Sequence, residues 1–338
     1  MKKKGKLLKL AILSVIVIGT VMVVSKQRNV PFQDNRGFVF GTMYQITYQS
    51  DKDYQKDIEA ELKKVDNSLS PFNPKSVISK VNRNENVEVD DMFAEVFNLA
   101  EKISSETDGA FDITVAPMVN AWGFGFKSGK MPTRKQLDSL RNIVGFHKVA
   151  MEGRRVVKKN PATMLDCSAI AKGFGCDVVA KFLQSHGVKN YMVNIGGEIV
   201  TCGVNMERVP WKIGVTKPVD DSLSVSEENQ TVLNVTDKAM ATSGNYRNFY
   251  YKNGKKYAHT IDPKTGCPVQ HNILSATVLA DNCAMADAYA TSFMVMGLDK
   301  AKKVLDKHPE LMAYFIYSDN QGKNAVWFSP SMKGKYLK

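Results

Sequence analysis

Two periods of apolar spacing run through the chain, and they predict strands and helices mixed without a regular strand-helix repeat. Residues 36–49 (RGFVFGTMYQITYQ) alternate and are rich in aromatic and β-branched side chains, which predicts a strand containing Gly41. Residues 53–65 have the spacing of an amphipathic helix. Residues 92–105 form a clearer one, with Phe93, Val96, Phe97, Leu99, Ala100 and Ile103 along one side. Between them, 69–82 is a turn-rich connection whose Ser70, Pro71, Asn73 and Pro74 resist regular structure. Further helices are expected over 132–141 and 178–186, a basic hairpin over 148–159, and a buried strand over 191–199 interrupted by Gly196-Gly197. In the stretch 255–269, alternation puts Tyr257, His259 and Ile261 on one face and Ala258 and Thr260 on the other, before an Asp-Pro turn. A helix from Met285 is expected to run on toward His308, followed by closing strands over 312–318 and 325–328. The pattern is α+β, with no internal repeat and no low-complexity linker, and it predicts one domain over residues 29–338.

The N-terminus departs from this pattern. Residues 10–24 (LAILSVIVIGTVMVV) are an unbroken apolar run behind Lys2, Lys3, Lys4, Lys6 and Lys9, the layout of a signal sequence or signal anchor. With Leu7 and Leu8 added, and Lys9 snorkelling toward head groups, the run approaches the roughly 17 residues that a span needs. No small-x-small cleavage pattern follows it, and no cysteine sits at its end to take a lipid. Residues 1–28 are therefore expected to be an uncleaved anchor in the cytoplasmic (inner) membrane, positive end inside, with the remainder on the exported, periplasmic side. A cleaved signal peptide is the alternative.

Charge changes the picture less than it first suggests. The formal net charge is +12, but Lys26 and Arg28 join the five lysines just named, and without these N-terminal residues it is about +5. No basic stripe interleaved with aromatics remains, so nucleic acid is not an expected partner. The five cysteines, Cys167, Cys176, Cys202, Cys267 and Cys283, form no CxxC pair and no ligand-like cluster with the five histidines, which argues against zinc. Their odd number argues against a full disulfide framework.

Candidate chemistry concentrates in four runs. Within 282–297 (NCAMADAYATSFMVMG), Asp287 and Thr291 stand four residues apart in an otherwise apolar helix, so they share one face with β-carbons about 5–6 Å apart. A buried carboxylate needs a cation, hydrogen-bond donors or a proton, and Asp287 reads either as a helix cap or as a metal ligand. Run 108–126 (DGAFDITVAPMVNAWGFGF) sets Phe111, Trp122, Phe124 and Phe126 among glycines, either a tight core turn or a place where backbone and rings approach a flat ligand. Run 164–177 (MLDCSAIAKGFGCD) places Asp166 and Lys172 around small residues. It suits a strand end entering a helix where a lysine neutralises a phosphate, or a structural Asp-Lys pair, and it is neither a P-loop nor a dinucleotide fingerprint. His259, in a polar motif bounded by glycine, is the best acid-base candidate among the histidines. Phe72 in the 69–82 loop is a further candidate wall residue.

Taken together, FGT at 40–42, SPFNPKS at 70–76, DGAFDITVAPMVNAWGFG at 108–125, LDCSAIAKG at 165–173, NIGGEI at 194–199, ATSGNYRNF at 241–249, HTIDPKTGCP at 259–268 and ADAYAT at 286–291 form a set, in order, that resembles the ApbE family of FAD:protein FMN transferases. The resemblance covers nearly everything after the apolar run. It implies that FAD is a substrate, that Mg²⁺ bridges its pyrophosphate, and that FMN passes through its phosphate to a threonine hydroxyl of an acceptor protein with release of AMP. It further implies that Asp287 and Thr291 hold the metal with the carbonyl of Ala169. Asp166 and Lys172 would contact FAD, and Phe40, Phe72, the Ala121-Trp122-Gly123 run, His259 and Thr260 would line its site. Acceptors in such a family include flavin-carrying subunits of membrane redox complexes, such as the sodium-translocating NADH:quinone reductase and Rnf.

The chain departs from the family pattern in three places. Phe40 stands where methionine is usual, and Cys167-Ser168-Ala169 where Leu-Gly-Gly is usual. The D-G-A-F at 108–111 lacks the hydroxyl of an acceptor's D-G-A-T-like motif, which argues against self-modification. The implied metal site is physically sound, because Mg²⁺ takes hard oxygens and is typically held by few protein ligands plus substrate phosphates. Positioning and charge neutralisation by Mg²⁺ and Lys172 would carry the transfer, with His259 or Asp287 as the base. Two other functions remain open from the residues: a Mg²⁺-dependent FAD pyrophosphatase giving FMN and AMP, and an exported FAD-binding protein without chemistry.

Overall fold

The computed structural model describes residues 12–20, 30–125, 131–218, 229–245, 249–252 and 255–337. The basic N-terminal cluster, most of the apolar run, Phe126 and nearly all of the acidic 220–230 segment lie outside the described residues. Residues 12–20 are helical, with Ile12, Leu13, Val15, Ile16, Val17 and Ile18 exposed. Among the described residues, no helix is long and apolar enough to cross a membrane.

The fold is α+β and is organised by one eight-stranded sheet, antiparallel throughout, whose strands in spatial order are Phe32–Val39, Thr42–Gln49, Tyr191–Ile195, Glu198–Cys202, Lys238–Gly244, Ile273–Ala280, Met312–Ser318 and Asn324–Phe328. Its central strands are covered on both sides. Along Ile273–Ala280, Ala276, Val278 and Ala280 pack toward the helices, while Leu279 packs under a hairpin of Trp211–Thr216 and Asn229–Val235 on the opposite face. Met240 and Tyr314 join that second layer with Trp211, Ile213 and Leu233. Burial on both faces explains why ILSATVLA lacks the alternation that marks a half-exposed strand.

The helical layer is built from Gln55–Leu69, Asp91–Glu106, Ala171–Ser185 and Cys283–Met296. The last is apolar all round, as a helix sunk in a core must be, and Asn282 caps it by accepting from Met285 N at 2.8 Å. Its neighbour Ala171–Ser185 crosses it closely: a β-carbon on Gly173 would meet the Cys283 carbonyl oxygen at 2.3 Å. At this crossing each helix satisfies the other's free N–H groups. Asp177 accepts from Cys283 N and Ala284 N at 2.7 and 2.8 Å, and Asp287 Oδ2 accepts from Gly173 N at 3.2 Å.

Several expectations need correction. Residues 36–49 are not one strand but the greater part of a hairpin that turns at Phe40-Gly41, both with positive φ. Residues 191–199 likewise form a hairpin, the Gly196-Gly197 turn being held by Gly197 N donating to Asn194 Oδ1 at 3.0 Å. The helix expected to be entered within 164–177 and to continue over 178–186 spans Ala171–Ser185, though turn rather than strand precedes it, and the 69–82 loop contains a short helix, Val77–Asn82, capped by Ser76. The long helix toward His308 is broken at Gly297, whose φ of +80° no other residue adopts cheaply, into Cys283–Met296 and Leu298–Leu305. The five cysteines are all free, in keeping with an odd number that argues against a full disulfide framework.

Candidate active site

A cleft of about 1060 Å³ opens where the Gly196-Gly197 turn, the Lys238–Gly244 and Trp211–Thr216 strands, and the Asp287-Thr291 side of Cys283–Met296 converge. The loops 70–72, 110–125, 166–172 and 259–263 close its sides. Phe40, Phe72, Asp166, Ala169, Lys172, His259, Thr260, Asp287 and Thr291 all line it, so residues scattered over 252 sequence positions meet in one place. Ala121, Trp122 and Gly123 are not among its lining residues. Trp122 is buried, donates its indole N–H to the Gly266 carbonyl at 2.7 Å and stacks on Tyr257; the 110–125 loop presents Asn120, Phe124 and Gly125 to the cleft instead.

The charged heart of the cleft is a lysine between two carboxylates. Lys172, in the first turn of Ala171–Ser185, reaches Glu198 Oε1 at 3.1 Å and Asp287 Oδ2 at 3.6 Å. Glu198 and Asp287 are only 4% and 2% exposed, so two carboxyl groups face one ammonium in a nearly dry setting. Burial disfavours the charged lysine, but the pull of Asp287 and then Glu198 outweighs it and holds the ammonium charged. Burial also raises the pKa of Glu198, against the pull of Lys172 and with the push of Asp287. Asp166 does not pair with Lys172 in the way a structural Asp-Lys pair requires. Its Oδ1 accepts from Ser168 N and Oγ at 2.8 and 2.5 Å, shaping its own loop.

One helical turn beyond Asp287, the Thr291 hydroxyl hydrogen-bonds Ser243 Oγ at 3.2 Å. Asp287 and Thr291 bring hard side-chain oxygens to a cleft that Ala169 also lines. Glu198 Oε2 is buried with no hydrogen-bond partner among the described residues. A surplus of negative charge with an unsatisfied carboxylate oxygen fits a divalent cation such as Mg²⁺. Among the described residues no three His, Cys, Asp or Glu side chains cluster as a metal cage. His259 also lines the cleft, where the Phe124 ring meets it edge-on at 6.5 Å between centroids. Thr260 donates to Asn245 Oδ1 at 2.6 Å, which fixes the residue beside it.

Sequence reasoning missed Glu198 and Asp177. The signal for Glu198 was its place directly after the Gly196-Gly197 pair, where a carboxylate leaves a turn and enters a buried strand.

Residues 40–315 match the model of the ApbE family. The chain is similar to an FAD:protein FMN transferase of Vibrio cholerae, 39% identical over 295 residues that span 84% of this chain and 87% of that one. It is also similar to one of Haemophilus influenzae, 38% identical over 301 residues, 84% and 86% of the two chains. Its fold superimposes on the solved flavin transferase ApbE from Vibrio cholerae with a TM-score of 0.80 at 35% identity, covering 90% of this chain and 99% of that one.

Proposed function

The chain belongs to the ApbE family, and from that membership we propose that it is an FAD:protein FMN transferase. It takes FAD as substrate and moves the FMN half, through its phosphate, onto a threonine hydroxyl of an acceptor protein. The observation that carries the reading is the placement of Asp287, Thr291 and Lys172 on the cleft that holds every other candidate except the 121–123 run. Asp287, Thr291 and the carbonyl of Ala169 would hold Mg²⁺, which when bound would supply Lewis-acid stabilisation to the pyrophosphate.

The chain's own residues then divide the work. Phe40, Phe72 and Thr260 confine the nucleotide. Lys172, kept charged, neutralises the charge that grows on the bridging oxygen as the phosphoanhydride bond to AMP breaks. His259 takes the proton of the threonine hydroxyl while its oxygen forms the new bond to the FMN phosphorus. Asp287 suits that task less well, because one of its oxygens is committed to Gly173 N and it lies beside an ammonium.

The deciding experiment mixes the protein with FAD, Mg²⁺ and an acceptor domain carrying a D-G-A-T-like site, and weighs the acceptor by mass spectrometry. A mass gain equal to FMN, lost on chelation, establishes transfer and its metal together. AMP released with the acceptor unchanged identifies a pyrophosphatase, and FAD retained without AMP identifies a binding protein.

The basic residues and apolar run at the N-terminus support an anchor in the inner membrane with the catalytic domain on the exported side. Acceptors there are threonine-bearing subunits of membrane redox complexes. Protease digestion of intact spheroplasts tests this: degradation of the domain from outside supports it, and protection from both outside protease and membrane pelleting refutes it.

A further inference from the structure

Lys172 is shared unequally. Its ammonium lies within hydrogen-bond reach of Glu198 Oε1 at 3.1 Å, whereas Asp287 Oδ2 at 3.6 Å is a Coulombic neighbour only. Glu198 is rigidly placed: its backbone pairs with Ile195 across the Gly196-Gly197 turn, and its carbonyl accepts the Cys176 thiol at 3.1 Å. It still has an unused acceptor, since Oε2 is buried without a partner among the described residues. Asp287, by contrast, spends Oδ2 on Gly173 N.

We propose that Glu198 is a positioning residue that holds the Lys172 ammonium off Asp287, leaving the Asp287 carboxylate open to the divalent cation while keeping the lysine beside the pyrophosphate. The inference rests on the FMN-transfer reading and its Mg²⁺ site. Its physical basis is competition. Lys172 and a divalent cation both seek Asp287, and a shift of under about 1 Å would bring the ammonium from its present place into charge-assisted contact. Glu198, with its spare oxygen, makes the other direction preferable. Remove its charge and, among the described residues, Asp287 is the carboxylate left within the lysine's reach.

The test is a calorimetric titration of Mg²⁺ into the full-length protein at saturating ADP, a non-transferable pyrophosphate, for wild type, Glu198→Gln, Lys172→Met and the double variant. Glu198→Gln should weaken Mg²⁺ binding by about tenfold, in the range typical of lost outer partners, with unchanged circular dichroism. In the Lys172→Met background, the same substitution should cost less than about threefold, because the competitor is gone. Glu198→Asp, which keeps the charge on a shorter arm, should fall between wild type and Glu198→Gln. Mg²⁺ affinity unmoved by Glu198→Gln overturns the proposal. An undiminished loss in the Lys172→Met background also overturns it, since Glu198 would then act only through its field. If wild type itself binds no Mg²⁺ with ADP present, the metal site fails and the positioning role fails with it; an intact wild-type titration separates the two failures.

Discussion

The Asp287 carboxylate accepts the backbone N–H of Gly173 at 3.2 Å, so the candidate metal ligand is tied to the first turn of the neighbouring helix. That tie depends on Gly173 having no side chain, because a β-carbon there would meet Cys283 O at 2.3 Å and the Ala284 Cα at 2.9 Å. Both are backbone atoms, so neither can swing away. Gly173→Ala should therefore force the helices apart and cost roughly 1–3 kcal/mol, the usual range for overpacking. It should also raise the Mg²⁺ concentration needed for half-maximal transfer, since Asp287 moves with its helix. Thermal unfolding and a Mg²⁺ titration of activity check the two effects; a fall in stability with the Mg²⁺ dependence unchanged would place Asp287 outside the metal site.

Thr291→Val removes the hydroxyl one turn from Asp287 and keeps the shape. Its bond to Ser243 is partly exposed and contributes about 1 kcal/mol at most. Stability should barely change. If the hydroxyl is a metal ligand, apparent Mg²⁺ affinity should drop on the order of 10–100-fold, as for other lost contacts at metal sites. A variant with wild-type Mg²⁺ dependence would confine Thr291 to its hydrogen bond with Ser243.

Asp177 gives a pH signature in stability. Burial raises its pKa from 3.8 to about 6, although the N–H groups of Cys283 and Ala284 pull it down. A carboxylate raised on folding holds its proton more tightly in the native state. Rising pH through this window therefore lowers stability, and the loss is complete above about pH 6. The stability of wild type relative to Asp177→Asn should fall by up to about 3 kcal/mol between pH 4 and pH 6, at about 1.36 kcal/mol per unit, and then level off. Urea unfolding at unit pH steps measures it. A difference flat with pH would show that Asp177 titrates as an ordinary carboxylate.

Phe40 holds φ at +51° in the turn between the two outer strands, a conformation that costs a bulky residue about 1–2 kcal/mol. Its ring lines the cleft and packs against Gly175, where an added β-carbon would meet it at 2.7 Å. Phe40→Asn relieves the backbone but forfeits a half-buried ring worth about 1–2 kcal/mol, so the two should nearly cancel. Melting temperature should move by only a few degrees while KM for FAD rises several-fold. Equal stability with unchanged KM would show that the ring serves the turn rather than the nucleotide.

The distribution of hits and misses along the chain follows from what a side chain can reveal about its own surroundings. The 92–105 helix was legible because one face is wet, and the structure gives Asp91–Glu106 with Asp90 as its cap. The Ile273–Ala280 strand was not, because both its faces are dry and nothing alternates. Trp211, Ile213 and Val215 do alternate with Lys212 and Gly214, so that hairpin strand is legible in the sequence. At the site, the one-turn spacing of Asp287 and Thr291 survives in any helix and could be read directly. The direction of Trp122 could not, since rings beside glycines say nothing about which wall they face. Glu198 carried only a weak local signal, its place after the Gly196-Gly197 pair, because its meaning lies in Lys172, 26 residues away and on another element, and no local pattern records that pairing.

His259 lies on the wall of the cleft, held edge-on to Phe124 and next to Thr260, whose hydroxyl is fixed by Asn245. A base that removes the proton of an incoming threonine acts only when that threonine is present. His259→Gly should accordingly lower kcat for FMN transfer by about 10²–10⁴, the range for a lost general base, with KM for FAD changed little. Removal of the ring also opens space, so added imidazole should restore part of the rate, and the restored rate should rise with pH as imidazole loses its proton. A merely structural histidine would give a different result: lower stability, a higher KM for FAD and no rescue. Equal loss of acceptor-free FAD cleavage would also count against the role, because it would place His259 with the pyrophosphate rather than with the acceptor hydroxyl.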